Sequence, residues 1–261
     1  MNNRLREVWD TRGYAIGLWC NSSDSLVVES FVTADPDFIC IDMQHGAAHI
    51  GNIVGLLQAM NNSQVTPIVR VDSNAAHTIG KVLDAGAQGV VVPGIESIDD
   101  ARQAIKACLY PPDGIRSFGP FRASLAGRGE VRDAHDIIVI LQIETAKGLA
   151  NVESICTTKG IDAIYIGPSD LGIALGMTPG SSSTKTFIEA VNTIKTSAES
   201  HGLIAGMHTY NSDEGIRRLD EGFRMVTLGV DLRILRECAT RYIAEARDHV
   251  YDPHLLLDRL T

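Results

Sequence analysis

Ile137-Ile138-Val139-Ile140-Leu141-Gln142-Ile143-Glu144 is the stretch that decides the fold. Its first five residues are all apolar, and four of them are β-branched. A strand with one wet face would alternate polar and apolar residues, and this one does not. Unbroken apolar runs of this length belong to strands covered on both faces, as in parallel sheets.

Seven further runs of the same kind lie on either side, at 14–20, 37–43, 66–71, 89–93, 163–168, 203–208 and 225–230. Between them lie helix-length stretches. Residues 75–85 place Ile79, Val82 and Leu83 on one face, and 98–109 and 187–200 behave alike. Ser97-Ile98-Asp99-Asp100 and Ser212-Asp213-Glu214 read as helix starts, with caps and acidic first turns. Gly86, Gly160 and Gly202 follow helices, where a left-handed residue is often needed.

Eight strand–helix alternations in 261 residues predict a (β/α)8 TIM barrel, an α/β fold, with an extra C-terminal helix over about 231–250. A doubly wound sheet would favour a Gly-rich turn after the first strand. Here that turn is Cys20-Asn21-Ser22-Ser23-Asp24. The expectation is a single domain over 1–261. Residues 111–136 break the rhythm and are too long for an ordinary loop, which suggests a segment that is functional or partly ordered by contacts.

Composition narrows the function classes. The net charge of −9 argues against a nucleic-acid partner, which needs a basic face. The five cysteines are odd in number and lack a C-x-x-C pair, so neither a disulfide framework nor a zinc site is expected. Three of them sit among apolar neighbours and read as buried thiols, which fits a reducing cytoplasm. Met1-Asn2-Asn3-Arg4 shows no apolar signal region, and no run reaches the ~18 apolar residues of a membrane span.

Barrel chemistry belongs at the C-terminal strand ends. Those ends read Asp42-Met43-Gln44-His45, Arg70-Val71-Asp72, Gln142-Ile143-Glu144, Gly167-Pro168-Ser169-Asp170, His208 and Asp231. Glu144 and Asp170 end consecutive strands, one βα repeat apart. Two close carboxylates stay ionised cheaply only when a cation joins them, and a hard divalent ion with oxygen ligands would do so. Arg70 offers a fork to a carboxylate, or else a salt bridge to a rim acid such as Asp72. His45 is the general-base candidate, and Asp84 could orient it. Trp19 either walls a pocket or packs in the core. None of the six lysines terminates a strand, which argues against Schiff-base chemistry.

Asp42-Met43-Gln44-His45, Pro67-Ile68-Val69-Arg70, Leu83-Asp84-Ala85-Gly86, Tyr110-Pro111-Pro112-Asp113-Gly114-Ile115-Arg116, Gln142-Ile143-Glu144-Thr145 and Ile166-Gly167-Pro168-Ser169-Asp170-Leu171 occur in one order along nearly the whole chain. Together they resemble the HpcH/HpaI family of class II, metal-dependent pyruvate aldolases. The resemblance implies a barrel of the phosphoenolpyruvate/pyruvate type and carbon–carbon lyase (aldehyde-lyase) activity. The reaction would cleave a 4-hydroxy-2-keto acid of the 2-keto-3-deoxy type to pyruvate and an aldehyde.

It further implies one divalent metal ion per subunit (Mg²⁺, Mn²⁺ or Co²⁺) on Glu144 and Asp170. Arg70 would bind the keto acid and stabilise the enolate oxygen. Gln142 and Ser169 would contact substrate, and Trp19 would line the pyruvate methyl pocket. His45, supported by Asp84, would be the acid/base, with Asp42 and Gln44 behind it. A homo-hexamer, a trimer of dimers with exchanged C-terminal helices, is also implied. Gln44 departs from the family pattern, where Glu is usual, and it bears on aldehyde preference. Three other readings remain open at this point: a CoA-thioester lyase of the malyl or citramalyl type, a decarboxylase that makes a metal enolate before carbon–carbon bond formation, and a non-catalytic keto-acid-binding barrel.

Overall fold

Every one of the eight apolar runs becomes a strand. The computed structural model describes residues 3–127, 130–178 and 184–250. The strands are β1 (Ala15–Cys20), β2 (Phe38–Asp42), β3 (Thr66–Arg70), β4 (Gly89–Val92), β5 (Ile138–Ile143), β6 (Ala163–Ile166), β7 (Ile204–Met207) and β8 (Met225–Val230). All pair in parallel and in chain order, and β8 returns to β1, so the barrel closes.

The helices are α1 (Arg4–Arg12), α2 (Ser25–Val32), α3 (Ile53–Gln58), α4 (Ala76–Asp84), α5 (Ile98–Cys108), α6 (Phe121–Leu125), α7 (Ala146–Cys156), α8 (Pro168–Ala174), α9 (Lys185–Ser200), α10 (Ser212–Asp220) and α11 (Asp231–Val250). Ser97 caps α5 as expected, its side chain accepting the Asp100 N–H. The cap of α10 is Asn211, one residue before the expected serine. Pro168 opens α8 instead of closing β6, because a proline lacks the N–H that the first helical position leaves unused. Residues 111–136 carry α6 and a short 3-10 helix over Val131–Asp136. The tail expected beyond residue 250 lies outside the described residues.

Two cores follow from the two-residue period of a strand. Ile39, Ile41, Val69, Val90, Val139 and Leu141 face outward and pack against the helices. Phe38, Cys40, Ile68, Val91, Ile138, Ile140, Ala163 and Tyr165 face inward and fill the barrel. Each fully buried Ile, Leu or Phe contributes ~1.5–3 kcal/mol by leaving water. These runs therefore have one stable register, since a slip of one residue would exchange the two faces.

The bottom of the barrel is closed by α1, which the sequence reading did not anticipate. Its Leu5, Val8 and Trp9 join the inner core. Trp9 Nε1 donates to the Arg224 carbonyl at 3.1 Å, and Asn3 Nδ2 donates to the carbonyls of Gln88 and Asp136. Arg6 pairs with Asp162 across the same end. With that end plugged, the C-terminal rim is the open one.

Candidate active site

The inward parity that fills the barrel also selects its rim residues. On β2 the inward series Phe38, Cys40 continues to Asp42. On β3 Ile68 is followed by Arg70, and on β5 Ile138 and Ile140 are followed by Gln142 and then Glu144. Each series crosses from apolar to polar at the same level. Asp42, Arg70, Gln142 and Glu144 are all buried. A buried polar group costs several kcal/mol, about 1–3 or more each, unless it is bonded. Their partners therefore define the site.

Asp42 is the hub. It lies opposite Arg70 in the β2–β3 register. Its Oδ1 accepts Arg70 Nε at 2.9 Å, and its Oδ2 accepts Arg70 Nη2 at 2.5 Å. The same carboxylate accepts the Trp19 indole N–H at 3.1 Å and the backbone N–H groups of Gln44 and His45. Burial alone would push its pKa up, but the Arg70 fork and the other donors outweigh burial and hold it below the usual carboxylate value. Arg70 therefore pairs with Asp42 on the neighbouring strand. Asp72 bonds Ser73 instead.

Glu144 shows the opposite balance. Its Oε1 accepts the Gly94 N–H at 2.9 Å, and its Oε2 accepts from Gln142 Nε2. Burial is nonetheless the largest influence, and the nearby Asp170 charge adds to it, so the Glu144 pKa is raised. Asp170 lies in the first turn of α8 and lines the cleft. Gly167 leaves open ground between these groups. A Cβ there would stand 2.5 Å from Glu144 Oε2 and 2.6 Å from Gln142 Nε2. Gln142 Oε1 is buried without a hydrogen-bond partner.

Two carboxylates, an orphaned amide oxygen and open ground form a donor set of hard oxygens, which fits a divalent cation. Among the described residues no group of three or more His, Cys, Asp or Glu stands close enough to hold a metal ion. Water or substrate oxygens would complete such a shell.

The cleft above these residues has a volume of about 260 Å³. That is at the small end of ligand pockets, which run ~300–1,000 Å³. It suits a small molecule. One wall is aromatic. The Trp19 ring stacks on Tyr165, with centroids 5.9 Å apart and planes at 12°. His208 meets Trp19 edge-on at 4.8 Å, and Tyr210 meets His208 edge-on at 5.0 Å. Burial and the Arg70 charge push the His208 pKa down to about 3, so its imidazole is neutral at pH 7.

His45 lines the cleft on the exposed loop after β2, and Ser169 does so at the start of α8. Ser169 Oγ shares a 2.6 Å hydrogen bond with the Tyr210 hydroxyl. Gln44 is half-buried beside His45, and its Oε1 has no hydrogen-bond partner.

Asp84 is placed differently from the sequence expectation. Its Oδ1 accepts Arg116 Nη2 at 2.8 Å, and it is not among the residues lining the cleft. Asp84 ends α4, where the buried guanidinium of Arg116 from the 111–136 segment reaches it. Within this chain it is partnered with Arg116 and not with His45. The sequence reading also passed over Asn21, Gly94, Tyr165, Tyr210 and Arg233, which the structure brings to the site. Arg233 stands three residues past the end of β8, so the strand-end rule pointed to it, but helix character hid it.

A barrel whose rim pairs a locked guanidinium with a two-carboxylate oxygen site defines a class of enzyme acting on small anionic substrates. The comparisons with known proteins agree. The family model of HpcH/HpaI aldolase/citrate lyase matches residues 15–238. The chain belongs to this family. It is 34% identical over 248 residues to the hydroxypyruvate/pyruvate aldolase of Rhizorhabdus wittichii strain RW1, covering 94% of this chain and 99% of that protein. It is 30% identical to the 5-keto-4-deoxy-D-glucarate aldolase of Klebsiella pneumoniae, covering 94% and 96%. Among solved structures, an HpcH/HpaI aldolase/citrate lyase family protein from Burkholderia cenocepacia J2315 superposes with a TM-score of 0.89 at 26% identity, over 95% of this chain and all of that one.

Proposed function

We propose that this chain is a divalent-metal-dependent pyruvate aldolase, a carbon–carbon lyase that cleaves a 4-hydroxy-2-keto acid to pyruvate and an aldehyde. The observation that carries this reading is the Arg70 guanidinium, buried and locked by Asp42, which lines the same cleft as Asp170, with the buried Glu144 carboxylate bonded to the cleft residue Gln142. The names of the two relatives, both aldolases, point the same way.

Glu144 and Asp170 would hold the metal, with the Gln142 amide oxygen turned toward its water or the substrate. Bound there, Mg²⁺, Mn²⁺ or Co²⁺ would supply Lewis-acid polarisation to the oxygens of the keto acid.

The chain's own residues perform the rest. Arg70 meets the C2 oxygen as negative charge develops on it. Because Asp42 already fixes the guanidinium, no reorganisation is needed when that charge appears, which is the condition under which such a cation is most effective. His45 takes the proton from the C4 hydroxyl. The C3–C4 bond electrons pass toward C2, the aldehyde leaves, and a proton returned to C3 gives pyruvate. Trp19 and Tyr165 form the apolar wall that keeps bulk water from the methyl carbon.

The reading extends to assembly and place. Leu232, Leu235, Tyr242 and Ile243 on α11 are 53–67% exposed. Such a surface suits exchange of this helix in a homo-hexamer arranged as a trimer of dimers. All five cysteines are free thiols, which supports a cytoplasmic location. Among the described residues no helix is long and apolar enough to cross a membrane.

Exchange of the pyruvate methyl protons in D₂O, followed by proton NMR, tests the enolising half without knowledge of the aldehyde. Metal-dependent exchange that Arg70→Ala abolishes is the expected result. Folded protein that exchanges no protons with any of the three metals would overturn the reading.

A further inference from the structure

Asp231 follows β8 directly and opens α11, yet it does not line the cleft. It is only 5% exposed. Its Oδ1 accepts the backbone N–H groups of Asn21 at 3.0 Å and Leu232 at 2.8 Å. Its Oδ2 accepts the Ser22 N–H at 2.8 Å and the Cys20 thiol at 3.3 Å. Burial, with the Asp231 charge adding to it, pushes the Cys20 pKa up, so the thiol keeps the proton it donates. Three of these donors belong to Cys20-Asn21-Ser22, where β1 ends. A carboxylate this buried is stable only with such donors around it. Asp231 therefore acts as a fixed post that sets where the Asn21 backbone lies.

Asn21 in turn carries the loop after β2. Its carbonyl accepts the Ala47 N–H at 2.7 Å. Next to that bond the two segments touch backbone to backbone. A Cβ on Gly46 would stand 2.3 Å from the Asp42 carbonyl oxygen and 3.0 Å from the Asn21 carbonyl oxygen. Only glycine lets the loop lie so close.

His45 is the residue before Gly46. On its other side, Asp42 Oδ1 accepts the Gln44 and His45 N–H groups. The backbone of His45 is thus held between two carboxylates, Asp42 directly and Asp231 through Asn21. Among the described residues no hydrogen bond reaches the His45 imidazole, so its backbone alone sets where the ring stands over the cleft.

We propose that Asp231 is a positioning residue for the acid/base, holding the His45 loop through Asn21. This inference rests on the aldolase reading, in which His45 moves the proton of the C4 hydroxyl, and adds the group that keeps it in range. Proton transfer needs ~2.6–3.2 Å between heavy atoms. A misplacement of ~1 Å costs on the order of a hundredfold in rate. None of the hydrogen bonds of Asp231 goes to Arg70, Glu144 or Asp170, so binding of the keto acid does not pass through it.

The test reads both catalysis and His45 itself. kcat and KM are measured for addition of pyruvate to acetaldehyde or glycolaldehyde, whichever the wild type uses faster. Asp231→Ala should lower kcat about tenfold or more and leave KM for pyruvate nearly unchanged. In a His45→Ala background the same substitution should change kcat little, because the residue it positions is gone. Asp231→Asn keeps one acceptor oxygen and the side-chain volume. It should fall between, and it is the variant to read if the alanine protein does not fold. In protein labelled at histidine Cε1, the Asp231 variant should shift the His45 signal in carbon–proton NMR. The signal of His201, at the C-terminal end of α9, should stay in place.

The same loss of kcat with and without His45 would overturn the proposal, because a residue that only stabilises the barrel lowers both alike. An unmoved His45 signal in a folded variant would overturn it too, while pyruvate exchange in the wild type keeps the aldolase reading. Wild-type protein that exchanges no pyruvate protons overturns both.

Discussion

Asp42 and Arg70 face each other at the ends of adjacent strands, joined by two hydrogen bonds of 2.9 and 2.5 Å. The pair is buried on both sides. Removing one member leaves the other as an unpaired buried charge, which costs about 3–5 kcal/mol. Replacing both by apolar residues removes that penalty. Asp42→Leu and Arg70→Met should each lower the melting temperature by roughly 10 °C, at ~2–4 °C per kcal/mol for a chain of this size. The double variant should melt nearer to the wild type than either single one, while turnover stays lost. Additive melting losses in thermal denaturation would show that the two residues are not energetically coupled.

Glu144 gives the reverse case. Its carboxylate is disfavoured by burial and by Asp170. Glu144→Gln removes that charge while keeping an acceptor for the Gly94 N–H. The metal-free variant should therefore melt no lower than the metal-free wild type. Its affinity for Mn²⁺, read by electron paramagnetic resonance of the free ion, should fall at least about a hundredfold, in line with the 10–100-fold that even supporting residues contribute to a metal site. Unchanged Mn²⁺ affinity would remove Glu144 from the ligand set.

How far these features could be read from sequence depends on what fixes each one. The eight strands were legible because burial on both faces forces unbroken apolar runs, and Asp42, Arg70, Gln142 and Glu144 were legible because each interrupts such a run. Partners were not. Arg70 has Asp72 two residues away in the chain, yet it bonds Asp42, because strand register places Asp42 directly opposite. Asp84 looked free to orient His45, but Arg116, 32 residues further on, holds it. Helix α1 went unread because its apolar content is only Leu5, Val8 and Trp9, and their burial depends on a barrel bottom formed by other strands. Tyr210 and Arg233 lie on a loop and a helix, where no apolar frame marks a polar residue as inward.

Gly167 separates room from flexibility. Its φ of −88° is open to any residue, so alanine meets no backbone strain there. The added methyl group would instead press on Glu144 Oε2 and Gln142 Nε2. Gly167→Ala should fold with a loss of about 1–3 kcal/mol, the usual cost of overpacking. Metal-dependent pyruvate exchange should fall far more than stability does, because the carboxylate must move. Full exchange activity in a folded Gly167→Ala protein would show that the ground between these side chains is not used.

His208 should make stability depend on pH on the acid side of neutrality. Its folded pKa is depressed to about 3 by burial first and by the Arg70 and Arg233 charges, with Asp42 opposing them. In the unfolded chain an imidazole titrates near ~6.5. Between these values the unfolded chain takes up a proton that the folded protein refuses. Stability is therefore complete above the unfolded value and falls as the pH drops from about 6.5 toward 3. The full linkage slope is ~1.4 kcal/mol per pH unit for one proton. Because the ring lines an open cleft and is only partly shielded, roughly 1 kcal/mol is expected between pH 7 and pH 5. Urea denaturation of the wild type and His208→Gln at the two pH values isolates this contribution, since the other titrating groups are common to both. The variant should lose about 1 kcal/mol less than the wild type over that interval. Equal losses would mean that His208 takes up its proton as readily in the folded protein as in the unfolded chain, so that the wall between Arg70 and Arg233 gains a positive charge by pH 5.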